Sequence, residues 1–225
     1  MTADESCASV SSCMPISPQH LSKLYNTRQI VEALLPYVHG DTVDFGAGLS
    51  RYKHMILTKA KSYTAMDSFS APGIDVVADV INPPLPDKSY DTVLCTQVLE
   101  HVKEPWVVVE HIARVLRSGG TAIVTTPFMY PYHPDPADYF RYTTAGLAYL
   151  FERTGMTVEV SQGYCGFFGV LSETIKQKYF SHYKGPRSWF KRRVLGVIEA
   201  IFEFLNRFCP PIIVYANTVC VAHKP

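Results

Sequence analysis

Three aspartates in this sequence stand at the ends of short β-rich runs: Asp44, Asp67 and Asp79. The carboxyl ends of parallel strands meet at one edge of an open α/β sheet, where such folds bind their ligands. We therefore expect the three carboxylates to lie near one another at that edge. Carboxylates accept hydrogen bonds from hydroxyl and amino groups and attract cations, whereas they repel a phosphate group. The three acids therefore predict a polar ligand without phosphate.

The first of these acids opens a glycine turn, in which Gly46 and Gly48 follow Asp44. Glycines let the backbone approach a ligand closely. A dinucleotide would place its pyrophosphate at the start of the next helix, and a carboxylate at the turn would oppose it. S-adenosylmethionine instead carries an ammonium, a sulfonium, a ribose and an adenine. We expect the turn to bind this methyl donor, with Asp67 accepting hydrogen bonds from the ribose hydroxyls and Asp79 accepting one from the adenine amino group.

Strand-like and helical segments alternate around these acids, which predicts a parallel sheet covered by helices on both faces. A helix from Thr27 to Val38 precedes the first strand, and Ser118-Gly119-Gly120 is predicted to end the helix before the fifth strand. The predicted strands are 42–45, 62–66, 74–77, 92–95, 121–125, 156–160 and 217–221. The fold class is therefore α/β, in one domain.

Several short motifs follow in the order of a known family: Val43-Asp44-Phe45-Gly46-Ala47-Gly48, Ala65-Met66-Asp67, Ala78-Asp79-Val80, Ser89-Tyr90-Asp91 and Leu116-Arg117-Ser118-Gly119-Gly120. Together they resemble the type 11 family of class I S-adenosylmethionine-dependent methyltransferases, over about residues 43–160. The resemblance implies a Rossmann-like sheet of seven strands in the order 3-2-1-4-5-7-6, with the last strand antiparallel. It also implies a helical insertion before that strand, at about 166–211.

The same resemblance assigns roles to residues around the glycine turn. Asp44, Gly46 and Gly48 would contact the methionine part of the donor, Asp67 the ribose, and Asp79 with Val80 the adenine. Thr96 and Gln97, after the fourth strand, would line the methionine end, followed by Leu99-Glu100-His101. Gln97 and His101 equally fit purely local hydrogen bonds. Ser50 stands where many relatives have a third glycine, which affects the fine geometry of the turn.

The segment Pro127–Tyr142 follows the fifth strand and is rich in polar side chains, so we expect it to border the methyl acceptor. His133 to Arg141 reproduces a His-x-x-Pro-x-Asp-Tyr-aromatic-Arg pattern that the resembling proteins share. With an ordinary pKa of ~6.5, His133 could remove a hydroxyl proton, oriented by Asp135 or Asp138. An Asp138–Arg141 pair that only fixes the loop explains the pattern equally well.

Composition limits the partners and the compartment. The formal net charge of +1 gives no field that would attract nucleic acid. Residues 1–17 contain no basic residue and no apolar run, so we expect a flexible tail up to about residue 20 and a cytoplasmic protein. The six cysteines form no Cys-x-x-Cys pair, so free thiols and no metal are expected.

One predicted helix in the insertion is unusually apolar. Residues 194, 195, 197, 198, 201, 202, 205 and 208 form its broad apolar face, opposite Glu199, Glu203 and Arg207. Such a face must pack on its own domain, on a second subunit as a homodimer, or on a membrane surface. Basic residues between 184 and 193 surround Trp189 and Phe190, which suits peripheral contact of the 187–208 region with an anionic inner membrane face.

The sequence thus predicts transfer of a methyl group from S-adenosylmethionine to a small-molecule acceptor, with an oxygen of a saccharide or another metabolite as the first choice. A nicotinamide-dependent oxidoreductase is the first alternative, but Asp44 opposes it and Tyr139 has no lysine four positions later. A non-catalytic binding module on a methyltransferase scaffold is the second, because fold alone does not establish activity.

Overall fold

The computed structural model describes residues 18–134, 136–179, 188–208 and 213–225 and contains seven strands with helices between several of them. The strands are β1 (Asp41–Phe45), β2 (Ser62–Asp67), β3 (Val76–Val77), β4 (Tyr90–Thr96), β5 (Leu116–Pro127), β6 (Thr157–Gly166) and β7 (Tyr215–His223). They form one sheet in the order β3-β2-β1-β4-β5-β7-β6. β7 pairs antiparallel with both neighbours. The predicted fold class and strand order are confirmed.

The central strand β1 is buried because it lies between β2 and β4, with Asp44 opposite Ala65 on one side and Leu94 on the other. Parallel strands covered on both faces are apolar along their whole length. Thr42, Val43 and Phe45 are accordingly fully buried. Both pairings are parallel, so the segments that follow β1, β2 and β4 leave the sheet at the same edge.

Helices cover both faces of the sheet and create two separate apolar cores. One core joins Val43 and Phe45 to Ile112 and Phe151, and the other joins Leu94 and Ile123 to the N-terminal helices. The helices are α1 (Pro18–Ser22), α2 (Thr27–Ala33), α3 (Lys53–Ile56), α4 (Pro105–Val115), α5 (Thr144–Glu152), α6 (Phe167–Tyr179) and α7 (Ser188–Asn206). Each layer of helices thus packs on one face of the sheet.

Several boundaries differ from the sequence-based prediction, and β5, β6 and β7 in particular are longer than predicted. Helix α4 ends at Val115, before the predicted stop at Ser118-Gly119-Gly120. These three residues lie within β5, where its pairing with β4 is irregular. The Gly119 amide there donates a hydrogen bond to the Lys224 carbonyl. Helix α2 ends at Ala33 and a 3-10 turn follows. The predicted tail of 20 residues is too long, because α1 begins at Pro18. Residues 1–17 lie outside the described residues.

The predicted insertion forms α6 and α7, and α7 places its charges differently from the prediction. Glu199 contacts Lys176 on α6 (2.5 Å) and Glu203 accepts a hydrogen bond from Gln29 on α2 (2.7 Å). These carboxylates therefore point toward the domain, while an apolar stripe of α7 is exposed, comprising Val194, Val197, Ile201, Phe204 and Phe208. Most of the basic segment between 184 and 192, and its side chains, lies outside the described residues.

Within the described ranges, no helix combines the length and the apolar character needed to cross a bilayer. The cysteines at positions 95, 165 and 220 are buried free thiols, as predicted. Burial raises the pKa of Cys165 and of Cys220 to about 12, so both thiols stay protonated near neutral pH.

Candidate functional site

The glycine turn after β1 is held against the end of β2 by backbone hydrogen bonds. The amides of Gly46 and Ala47 donate to the Met66 carbonyl at 2.9 and 3.0 Å. Gly46 has a φ of +71°, and a Cβ there would lie 2.4 Å from Cγ2 of Val98. Only glycine fits this position, because it tolerates the positive φ and leaves room for Val98. The turn is thereby fixed at the sheet edge.

Asp67 and Asp44 lie on either side of this turn, as the sequence predicted. Asp67 is 7% exposed and accepts a hydrogen bond from the Gly48 amide at 2.8 Å. Asp44 is buried, with one oxygen accepting from the Tyr63 hydroxyl (2.6 Å) and the other unpaired within the described structure. Burial, opposed by the Tyr63 hydrogen bond and aided by Asp67, raises the pKa of Asp44 to about 7. A cationic ligand group would favour its charged form.

Asp79 and Val80, the predicted adenine contacts, lie after β3 and differ in exposure. The Asp79 side chain is exposed and accepts a hydrogen bond from the Ile81 amide (3.0 Å). The Val80 side chain is 8% exposed and belongs to the apolar core. Val80 can therefore offer a ligand mainly its backbone, whereas Asp79 keeps an accessible carboxylate.

Beyond β4, Gln97 turns the chain away from the sheet with a φ of +56°. Its amide donates to the Thr125 carbonyl (2.8 Å) and its side-chain amide to the Thr125 hydroxyl (3.2 Å). Both bonds connect β4 to β5, which supports the local interpretation of Gln97. The half-buried Thr96 precedes it at the end of β4. Gln97 also lines the cavity that follows.

A cavity of about 370 Å³ lies at this edge of the sheet. Its wall is both polar and apolar, and the residues that line it all carry a polar group or a thiol and come from segments far apart in the sequence: Tyr25, Asn26, Thr27, Gln97, His101, Tyr130, His133, Cys165, Glu173 and Asn217. The sequence motifs pointed to Gln97, His101 and His133 only. The other lining residues carry no motif, and they meet because α2, α6 and β7 pack around the same edge.

His133 and Asp138 are brought together in the segment after β5. The Asp138 carboxylate accepts a hydrogen bond from the His133 amide (3.0 Å) and lies 3.4 Å from the Nδ1 atom of its ring. Arg141 donates to both oxygens of Asp138, at 2.5 Å for Nη2. The Arg141 hydrogen bond, opposed by burial, lowers the pKa of Asp138 to about 2. Asp138 thus fixes the loop through Arg141 and also faces the imidazole, while Asp135 lies outside the described residues.

Glu100 and His101 form a turn behind the cavity. Glu100 is fully buried, and its backbone carbonyl accepts a hydrogen bond from the Tyr139 amide (2.7 Å). Burial raises the pKa of the Glu100 carboxyl to about 8, although its own amide and Arg141 act in the opposite direction. The His101 ring packs edge-on against the His133 ring, with 5.1 Å between centroids. His101 thereby contributes to the cavity wall.

A seven-stranded sheet with β7 antiparallel, and an acid-bearing glycine turn at its carboxyl edge, define the Rossmann-like fold of class I methyltransferases. Residues 43–124 match the family described as a methyltransferase domain. The match covers somewhat more than a third of the chain and agrees with the resemblance predicted from the sequence. Two of the similar proteins described below are named S-adenosylmethionine-dependent methyltransferases, in agreement with the predicted cofactor.

One similar sequence is a probable S-adenosylmethionine-dependent methyltransferase from Mycolicibacterium smegmatis, 36% identical over 86 residues. The match covers 36% of this chain and 34% of that relative. The similarity therefore extends over about a third of each protein, and the remainder of this chain has no counterpart in that alignment.

Solved structures share the fold across most of the chain. A S-adenosylmethionine-dependent methyltransferase from Mesorhizobium loti has a TM-score of 0.57 at 16% identity, covering 87% of this chain and 96% of its own. The [4+2]-cyclase SpnF has a TM-score of 0.58 at 17% identity, covering 90% and 85% respectively. The second name illustrates that this fold by itself does not fix the chemistry.

Proposed function

We propose that the protein transfers the methyl group of S-adenosylmethionine to an oxygen of a small polar metabolite held in the cavity, with a saccharide as the first choice. The observation that carries this proposal is the set of polar side chains that line the cavity beside the donor turn. Gln97 belongs to both, since it follows β4 at the donor edge and lines the cavity. An acceptor in the cavity would thus lie next to the methionine end of the donor.

The acids at the glycine turn support donor binding. The unpaired oxygen of Asp44 offers a buried acceptor to a cationic group, and the carboxylate of Asp67 adjoins the turn for two ribose hydroxyls. Asp79 remains the proposed adenine contact, with Val80 contributing its backbone. A charge-assisted hydrogen bond contributes about 1.5–3 kcal/mol to binding, so the loss of Asp67 alone would weaken donor binding measurably.

Methyl transfer is a direct displacement at the sulfonium carbon, so the protein mainly has to align the acceptor oxygen with the methyl group. A hydroxyl acceptor must also lose its proton. His133 is the proposed general base, and Asp138 the proposed orienting group, because that carboxylate adjoins Nδ1 and leaves Nε2 available. The acceptor is proposed to be a small molecule and not a nucleic acid, because the formal net charge of +1 gives no field that would attract nucleic acid. A cytoplasmic location is proposed as well.

Calorimetry with the purified chain tests the donor part of this proposal. We expect S-adenosylmethionine and its demethylated product to bind, and oxidised and reduced nicotinamide dinucleotides to show no heat. Binding of dinucleotide alone would refute the proposal. Incubation with labelled donor and fractionated metabolite pools then tests the acceptor part. If the donor binds but no metabolite acquires label, the chain is a binding module on this scaffold.

A further inference from the structure

The buried carboxylate of Glu100 has no hydrogen-bond partner from another residue in the part of the chain that the structure describes. The Glu100 side chain has no exposed surface. Burying an unpaired polar group costs free energy, so such groups usually meet a hydrogen-bond donor, an ion or a metal. An ionisable side chain adjoins it, since Nε2 of His101 lies 3.8 Å from Oε1 of Glu100.

The hydrogen bonds of the two cavity histidines fix which ring nitrogens remain free. Nδ1 of His101 is hydrogen-bonded to the Ala137 carbonyl, and Nδ1 of His133 lies 3.1 Å from the Pro131 carbonyl. A carbonyl oxygen only accepts, so each Nδ1 carries the hydrogen and each Nε2 keeps a lone pair. This is the arrangement that metal-binding histidines show, with the outer nitrogen held by a carbonyl or a carboxylate.

We propose that Glu100, His101 and His133 bind one divalent transition-metal ion. One candidate ligand atom from each residue lies within 4.8 Å of the others, so small side-chain rotations would bring all three onto one ion. Two imidazoles and one carboxylate are a ligand set of catalytic zinc sites, which keep a further position open. The proposal departs from the sequence-based expectation of no metal, which rested on the spacing of the cysteines.

The site would act on the acceptor, and this part rests on the proposed function. His101 and His133 line the cavity, so the open coordination position would face the bound metabolite. A bound cation lowers the pKa of a hydroxyl that it contacts. The hydroxyl then releases its proton to solvent, its oxygen bonds to the methyl carbon, and the S–CH3 bond breaks with its electron pair on sulfur. In this case His133 serves as a ligand, since Nε2 cannot hold a metal and accept a proton at once.

Metal analysis of the untagged chain tests the proposal directly. After dialysis against chelator and then buffer, we expect calorimetry with Zn²⁺ to show one ion per chain. Glu100→Gln and His133→Gln should each weaken Zn²⁺ binding by roughly 100-fold or more. Even the loss of a residue that only hydrogen-bonds to a metal ligand lowers metal affinity by about 10–100-fold. His54→Gln, an exposed histidine on α3, is the matched control and should leave binding unchanged. Co²⁺ absorption in the visible range gives a second readout.

Absence of Zn²⁺ binding by the wild type, or unchanged stoichiometric binding in both variants, would refute the metal site. Donor calorimetry on the same samples separates this result from a failure of the proposed function. If the donor binds and turnover survives chelation, the methyltransferase proposal stands and His133 acts as a base. If Zn²⁺ binds but the donor does not, the metal site stands and the proposed function fails.

Discussion

The glycine turn, here called the donor turn because we propose that it binds the donor, adjoins the cavity that we propose for the acceptor. The two regions lie at one edge of the sheet but are built in different ways. The donor turn is formed by residues between Asp44 and Gln97, and backbone hydrogen bonds between consecutive elements hold it in place. The cavity wall joins Tyr25, His133 and Asn217, which lie in distant parts of the sequence. A donor site of this kind can be recognised from local motifs, whereas acceptor specificity depends on how remote segments pack.

The comparison predicts that changes in the cavity affect turnover but not donor binding. His133→Ala should lower turnover by about 10²–10⁴-fold, the usual contribution of a positioned acid or base, while the donor dissociation constant changes less than about twofold. Rate measurements with the identified acceptor, combined with donor calorimetry, test both parts. Full turnover in the variant would show that alignment alone carries the reaction and that His133 is structural.

The reverse behaviour is expected at the donor turn. Asp67→Ala should weaken donor binding by roughly 10- to 150-fold, equivalent to one charge-assisted hydrogen bond of about 1.5–3 kcal/mol. Turnover at saturating donor should fall much less. Asp87→Ala, at an exposed carboxylate that pairs with Arg114 away from the turn, is the matched control. Unchanged donor affinity in a folded Asp67 variant would place the ribose elsewhere.

Donor affinity should depend on pH through Asp44, whose pKa is about 7 in the unliganded protein. Tyr63 and Asp67 face this carboxyl, and only its charged form attracts the donor ammonium. Below pH 7 the affinity should therefore fall by up to about tenfold per pH unit, since binding requires loss of a proton. Calorimetry between pH 5.5 and 7.5, to be compared with Asp44→Asn, measures the slope.

The stability of the fold provides the control for this pH effect. The pKa of Asp44 is higher in the folded protein than its ordinary value of 3.8, so folding favours the protonated form. The contribution of Asp44 to the free energy of unfolding is therefore fully present below about pH 4 and is lost as the pH rises toward 7. The amide that Asp44→Asn introduces cannot titrate, so this variant should lack that loss. A variant with the wild-type pH slope for donor binding would contradict the assignment to Asp44.

The smallest effect on catalysis is expected at the exposed apolar stripe of α7, whose residues do not line the cavity. Ile201→Lys should leave donor affinity and turnover within about twofold, yet abolish any self-association seen by sedimentation. Tyr149→Lys, at an exposed aromatic residue on α5, is the matched control. Flotation with anionic liposomes at low and high salt distinguishes a membrane contact from a homodimer. Monomeric wild-type protein that also stays with the soluble fraction would rule out both partners.

The sequence located all seven strands because each contains an apolar or β-branched run, although β5, β6 and β7 extend further than predicted. The strand order followed from the family resemblance. Asp44, Gly48 and Asp67 meet as expected, since they end neighbouring parallel strands. The end of α4 was predicted too late, because Gly119 and Gly120 resemble a helix stop although they belong to an irregular part of β5. The cavity residues on α2, α6 and β7 could not be found, since no local pattern encodes a contact between remote segments.

The position of β7 has a consequence for the order of folding. β7 follows all the other strands in the chain, yet it lies between β5 and β6 inside the sheet. Contacts between residues far apart in sequence form slowly, because a long loop must close first. The donor turn needs only the strands from β1 to β5, whereas the cavity requires Asn217 on β7 and Tyr25 near the start of the described chain. We therefore expect a folding chain to complete the donor turn before it acquires the cavity.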